Sequence, residues 1–306
     1  MISPHFEKNK AFYEFLETQF QLFKGNLMVT KASKDEEAIH QMRVAIKRIK
    51  TIQKLKKNIS VSVEIPQYVN DAIKTAFRSA GKLRDLQIHM NLLHHFQKEI
   101  KTAFREFDEH LKNVATELNQ LIDSTIHHID FSGNDELPLL PDKGYENDII
   151  KECIDFVERK IIKIHQLILL IQNEEKVHEL RKQIKQLFFI LQFLSEQIPD
   201  NLFYGYEMKP LKRLTDAIGN WNDLDFFGQR LERFIQQQQT GFAGKFPEYM
   251  ILKYFTEHEK QKYLEDIDVD IYLEMINLQD ILKKRNPSPP ATLNNQNIVL
   301  EKAMNY

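Results

Sequence analysis

Apolar residues recur at helical spacing along most of the chain. Phe6, Phe12, Phe15, Leu16, Phe20, Phe23 and Leu27 mark a first helix over residues 5–28, closed near Gly25. Ser33 and Glu36 have the spacing of a capping box and open a second helix. Its stripe is Ile39, Met42, Ile46, Ile49 and Ile52, and it ends near residues 58–63. Pro66 suits the first turn of a third helix, which runs through Ile73, Phe77, Leu83 and Leu86 towards Phe96. A fourth pattern covers 104–129. Gly133, Pro138, Pro141 and Gly144 then break the periodicity, so 131–146 reads as a linker. Beyond it, helices are predicted at about 147–171, 175–197, 208–238 and 248–265, with a short one near 271–283. Residues 286–306, with Pro287, Pro289 and Pro290, have the composition of a disordered tail.

The polar positions carry a second pattern. From Glu37 to Glu64 there is no acidic residue, and on a helix of about 100° per residue His40, Arg43, Lys47, Lys50 and Lys54 fall within roughly 80°. A row of cations therefore runs beside the apolar stripe. The spacing returns 138 residues later, where His178, Arg181 and Lys185 repeat His40, Arg43 and Lys47. At the same offset Gly81-Lys82-Leu83-Arg84-Asp85-Leu86 aligns with Gly219-Asn220-Trp221-Asn222-Asp223-Leu224, and Lys74 aligns with Lys212. Two separated matches at one offset predict an internal duplication: a first helical repeat over 1–130 and a second over 147–285.

Composition narrows the setting. Hydrophobic content of 42% in 306 residues is ample for a core, and only 9 Gly and 10 Pro interrupt it, so the fold class is all-α. The net charge of −2 does not advertise a polyanion partner, so any such function must come from segregated charge. The single Cys153 fits a reducing compartment. The opening residues do not read as a signal peptide, and the apolar run at 161–171 is too short to span a bilayer. A cytoplasmic protein is expected.

The candidate chemistry is electrostatic. Arg forks onto two phosphate oxygens and Lys adds a compact charge, so cations about 5.4 Å apart along a helix could track a chain of negative charges. Asp85 and Asp223 repel phosphate and are read as partners that orient cations. Asp123 and His127 share a helix face, but two further ligands would be needed for zinc, and no metal is expected. No nucleotide-binding glycine loop, zinc-protease or nucleophile-elbow motif occurs. The string Glu257-His258-Glu259-Lys260 reads as part of a surface helix.

His-x-x-Arg-x-x-x-Lys on a basic helix, then Gly-x-x-Arg/Asn-Asp-Leu on the next, each present twice, resembles the CHAD family (conserved histidine α-helical domain) over roughly residues 5–283. The resemblance implies two four-helix bundles about a pseudo-twofold axis with a basic channel between them. It also implies non-enzymatic binding of inorganic polyphosphate, no cofactor, and association with polyphosphate granules. Mapped onto this chain, the expected binding residues are His40, Arg43, Lys47, Arg48, Lys50, Lys54, Lys74 and Arg78 from the first repeat. From the second they are His178, Arg181, Lys182, Lys185, Lys212 and Arg213. The second row is interrupted: Lys50 and Lys54 correspond to Phe188 and Gln192, and Arg78 to Asp216, so binding should be lopsided. Two other readings stay open: a metal-dependent enzyme acting on polyphosphate or nucleotides through Asp85 and Asp223, and a helical nucleic-acid binder. The sequence leaves the oligomeric state unknown.

Overall fold

The computed structural model describes residues 4–56, 65–129, 149–238 and 246–284. These residues are all-helical, with no strand among them. The eight helices are α1 (Pro4–Ser33), α2 (Glu36–Lys56), α3 (Gln67–Ile100), α4 (Arg105–Ile126), α5 (Ile149–Ile168), α6 (Glu174–Gln197), α7 (Lys209–Gln237) and α8 (Phe246–Lys283). The linker expected at 131–146, the second helix's end at 58–63 and the tail at 286–306 lie outside the described residues. None of the described helices is long and apolar enough to cross a membrane.

Three boundaries differ from expectation. α1 runs through Gly25 to Ser33 because Phe23, Leu27 and Thr30 continue its buried stripe while Gly25 faces solvent. Ser33 does not cap α2: its hydroxyl donates back to the Val29 carbonyl, and the chain turns at Lys34 with φ 52°. The cap is Asp35, whose Oδ2 accepts from the Ala38 amide at 2.7 Å. At the other end α8 is one helix of 38 residues rather than two. Ile267, Ile271, Met275 and Leu278 form a buried stripe that carries it past the acidic residues 266–270.

Two apolar cores form, and neither belongs to one half of the chain. The first takes all of α1, α2, α5 and α6, the N-terminal halves of α3 and α7, and the C-terminal halves of α4 and α8. The second takes the remaining halves of α3, α4, α7 and α8. Residues from both halves of the chain contribute to each core. In the second core Phe107 meets Phe234 at 4.9 Å and Phe227 at 5.8 Å, and Phe234 meets Tyr249 at 5.7 Å. Each such buried side chain contributes about 1.5–3 kcal/mol of transfer free energy, so the second core locks α4 and α8 onto α7.

The changeover between cores sits between Leu83 and Leu86 on α3, and between Trp221 and Leu224 on α7. Asp85 and Asp223 lie in these two intervals. α2 packs on α6 and α3 on α7, and the changeover forms a waist between the two cores.

Candidate anion-binding site

The apolar stripes of α2 and α6 bury Met42, Ile46 and Ile49 on one and Leu180, Ile184 and Leu187 on the other. Next to these stripes, Arg43 and Lys47 of α2 and Arg181 and Lys185 of α6 are drawn partly out of water at the α2–α6 contact. Their fields overlap. Burial first, then Lys185, Arg43 and Arg181, push Lys47 well below the ordinary lysine range. Burial, then Arg181, bring Lys185 down to about 8. Burial lowers Arg43 and Arg181 as well, with Asp85 and Asp223 opposing the shift in both. Burial raises the carboxyl of Asp85, its proximity to Arg43 lowers it, and Asp223 across the waist raises it again. Four cations thus share a half-desolvated space with Asp85 and Asp223, and Asp216 also acts on Lys185. The excess positive charge is unfavourable in the free protein, and an anion entering the space would relieve it.

Arg43 is held by contacts on several sides, with a side chain 15% exposed. Its Nη1 donates to the Phe77 carbonyl at 3.2 Å, its guanidinium covers the Phe77 ring at 4.8 Å, and Asp85 lies 3.9 Å away. Gly81 makes room for it, since a Cβ there would run into the Arg43 Nη1 atom. Gly81 is thus explained by close approach of a side chain. Gly219 is looser: a Cβ would stand 3.8 Å from Lys185 Nζ, an ordinary contact. A paired test follows. Gly81→Ala should displace the guanidinium and weaken anion binding several-fold. Gly219→Ala should leave binding within twofold and raise stability by about 0.5–1 kcal/mol, the usual helix-interior gain. Titration and urea denaturation of both variants check this.

The other expected site residues are dispersed. His40 stands at the rim, in the field of Lys47, Lys185 and Arg84, and partial burial, then Arg84, hold it below the ordinary histidine range. His178 does not mirror it. Its Nδ1 lies 3.2 Å from Asn222 Oδ1 and its Nε2 3.1 Å from Asp225 Oδ2, between the rings of Trp221 and Phe226. The matching positions in the first half are Arg84 and Gln87, so the equivalence of the two histidines stops at their neighbours. Arg48 joins the halves instead of facing the cluster: it donates to Gln19 at 3.0 Å and Gln192 at 2.9 Å. Lys50 lies over the Phe77 ring at 3.8 Å, within the field of Arg43, Arg78, Lys74 and Lys54. Lys74 also pairs with Asp71 at 3.1 Å. Lys182, Lys212 and Arg213 are exposed.

Sequence reasoning missed several charged residues. Arg84 binds Glu36 at 3.2 Å beside His40, and its place one residue before Asp85 was the available signal. Lys260, read as part of a surface helix, is buried. It reaches Glu174 at 2.6 Å, Glu257 at 3.0 Å and Asp225 at 3.2 Å, and so braces the carboxylate that holds His178. Burial opposes its charge, but these hydrogen bonds outweigh it and raise its pKa. Asp123 is engaged by Lys34 at 2.9 Å, and no group of metal-ligating residues forms among those described. A cavity of about 200 Å³ between α3, α7 and α8 is lined by apolar residues with His95, Asn220, Tyr263 and the two carboxylates of Asp223 and Glu259, which disfavour an anion.

Comparison with known proteins agrees with this architecture. The crystal structure of the CHAD domain from the plant Ricinus communis superposes with a TM-score of 0.57 at 16% identity, covering 86% of this chain and 91% of that one. No curated protein matches. The family model for the CHAD domain matches residues 14–232, a span that holds α2, α6 and both aspartates of the waist. With the helical order, the fold and most of the chain in agreement, the protein belongs to the CHAD domain family.

Proposed function

We propose that this protein binds inorganic polyphosphate, without catalysis, in a basic channel at the waist where α2 meets α6 and α3 meets α7. The observation that carries the reading is the convergence of Arg43, Lys47, Arg181 and Lys185 with carboxylates too few to neutralise them. Membership of a family associated with polyphosphate supports the choice of anion. In this reading two copies of one helical unit, offset by 138 residues, supply the two walls, and each wall gives an Arg and a Lys one turn apart. Bound phosphate oxygens take the place of the missing counter-ions. Asp85 and Asp223 keep the guanidiniums aimed and limit how much charge accumulates. Retention at polyphosphate granules would follow from affinity for the polymer.

The aromatic side chains near the cluster favour phosphate over nucleic acid. Trp221 is 1% exposed, and Phe77 is covered by Arg43 and Lys50, so neither ring is presented for base stacking. The test is titration of the purified chain with polyphosphate at two salt concentrations, RNA competing at matched salt, and release of phosphate monitored with magnesium present. Tight binding that weakens with salt, poor competition by RNA and no phosphate release are expected. Preference for RNA, or magnesium-dependent release of phosphate, would replace this reading with a nucleic-acid binder or an enzyme.

A further inference from the structure

On one flank the cationic row of the helix continues beyond the cluster, and on the other it is interrupted. Along α2 the cations follow at one-turn spacing from Arg43 through Lys47 and Lys50 to Lys54, a rise of about 16 Å. Lys50 stands in the field of Lys54 and of Arg78 and Lys74 on α3. Lys54 in turn stands beside Lys160 of α5, which neighbours Arg159. The Lys160 ammonium is fixed in place. It donates to Gln183 Oε1 of α6 at 2.6 Å and lies 4.7 Å from the Phe156 ring centroid.

On the matching flank Lys50 and Lys54 are replaced by Phe188 and Gln192, and Arg78 by Asp216. Phe188 packs against the first core, Gln192 accepts from Arg48, and Asp216 lies in the field of Lys185. The positions that correspond to Arg159 and Lys160 are Gln21 and Leu22. A linear anion that outgrows the cluster is therefore attracted more strongly in one direction. In the other it meets an apolar ring, an amide already bound to Arg48 and a carboxylate, with Lys212 the one aligned cation kept.

We propose that Lys54, Lys160 and Arg159 form an exit subsite that carries a long polyphosphate chain from the waist across α2 onto α5, giving the bound polymer one direction through the protein. This rests on the reading of the cluster as the phosphate site, and it makes the ligand an extended chain in preference to a short oligophosphate. Lys160 suits the role because the oxygen it already binds belongs to a neutral amide, so an incoming phosphate need displace no carboxylate. Burial, then Lys54 and Arg159, bring its pKa down to about 8, and a phosphate oxygen would restore the lost charge.

Affinities for tripolyphosphate and for a long-chain polyphosphate test it, measured on the full chain, on Arg159→Gln/Lys160→Gln, on Lys160→Arg and on Lys112→Gln as a control that removes one distant charge on α4. The double variant should bind tripolyphosphate within twofold of the unaltered protein. Its affinity for the long chain should fall about fivefold to tenfold at low salt, and its salt dependence should flatten by roughly one to two in slope, as for other polyanions. Lys160→Arg and Lys112→Gln should bind both ligands nearly as before. An equal loss for both ligands, or no loss for the long chain, overturns the exit subsite and leaves the cluster reading standing. An unaltered protein that binds neither ligand overturns the cluster reading, and the exit with it.

Discussion

Lys47→Met is expected to weaken polyphosphate binding by about tenfold and, in the same protein, to raise the stability of the free state. The two effects share one cause. Lys47 is held among Lys185, Arg43 and Arg181 with burial as the largest penalty on its charge. A methionine of similar length fills the same space without that penalty. Replacing poorly compensated buried charge by apolar groups gives about 1–4 kcal/mol in favourable cases. Lys47 is only partly buried, so the low end, about 1 kcal/mol, is the expected gain, or roughly 2 °C in Tm for a chain of this size. Binding moves the opposite way because a charge-assisted hydrogen bond to phosphate is worth about 1.5–3 kcal/mol, and about 1.4 kcal/mol is tenfold in Kd. Lys112, exposed and paired with Asp108 at 2.6 Å on α4, is the comparison. Lys112→Met should change affinity little. Titration and thermal melts of the two variants decide: a destabilised Lys47→Met that binds normally would make Lys47 a structural residue.

The second large effect lies away from the site. His89 is 3% exposed in the second core, its Nδ1 has no hydrogen-bond partner, and its ring meets Phe227 edge-on at 5.8 Å. Burial, then the positive charge of Arg230, lower its pKa from 6.5 to about 3. The fold therefore favours the neutral ring, whereas the unfolded chain takes up a proton as pH drops through 6.5. Stability from this group is complete above pH 6.5 and declines until about pH 3. Between pH 7 and 4.5 the loss is on the order of 2–3 kcal/mol, at about 1.36 kcal/mol per pH unit. Phe227 occupies the matching position in the second half, so Phe is the natural replacement. In urea denaturation at the two pH values, His89→Phe should lose less stability than the unaltered protein by that amount. Equal losses would place the titration elsewhere.

The helices and the cationic row were legible because both are periodic: a stripe such as Ile39, Met42, Ile46 and Ile49 declares a buried face, and Arg43 and Lys47 stand beside it. What periodicity does not carry is which side chains meet across helices. Lys260 sits among acidic and polar neighbours in sequence, and its burial arises only when α6 and α7 bring Glu174 and Asp225 to it. Lys160 and Lys54 are over a hundred residues apart in sequence and become neighbours through the packing of α5 on α2. His178 repeats the spacing of His40, yet its surroundings hold Asn222 and Asp225 where the first half has Arg84 and Gln87. The division of the cores was hidden for a similar reason. Leu83 and Leu86 belong to one apolar stripe in sequence, and nothing local shows that the core changes between them.

The location of the phosphates tests the central claim most directly. A crystal structure of the protein soaked with or grown in tripolyphosphate should place phosphate oxygens within hydrogen-bond distance of Arg43 and Lys47 on one side and Arg181 and Lys185 on the other. Asp85 and Asp223 should stay at the waist. Phosphate held instead by the exposed Lys182, Lys212 and Arg213, with the four cations unchanged and unliganded, would contradict the account.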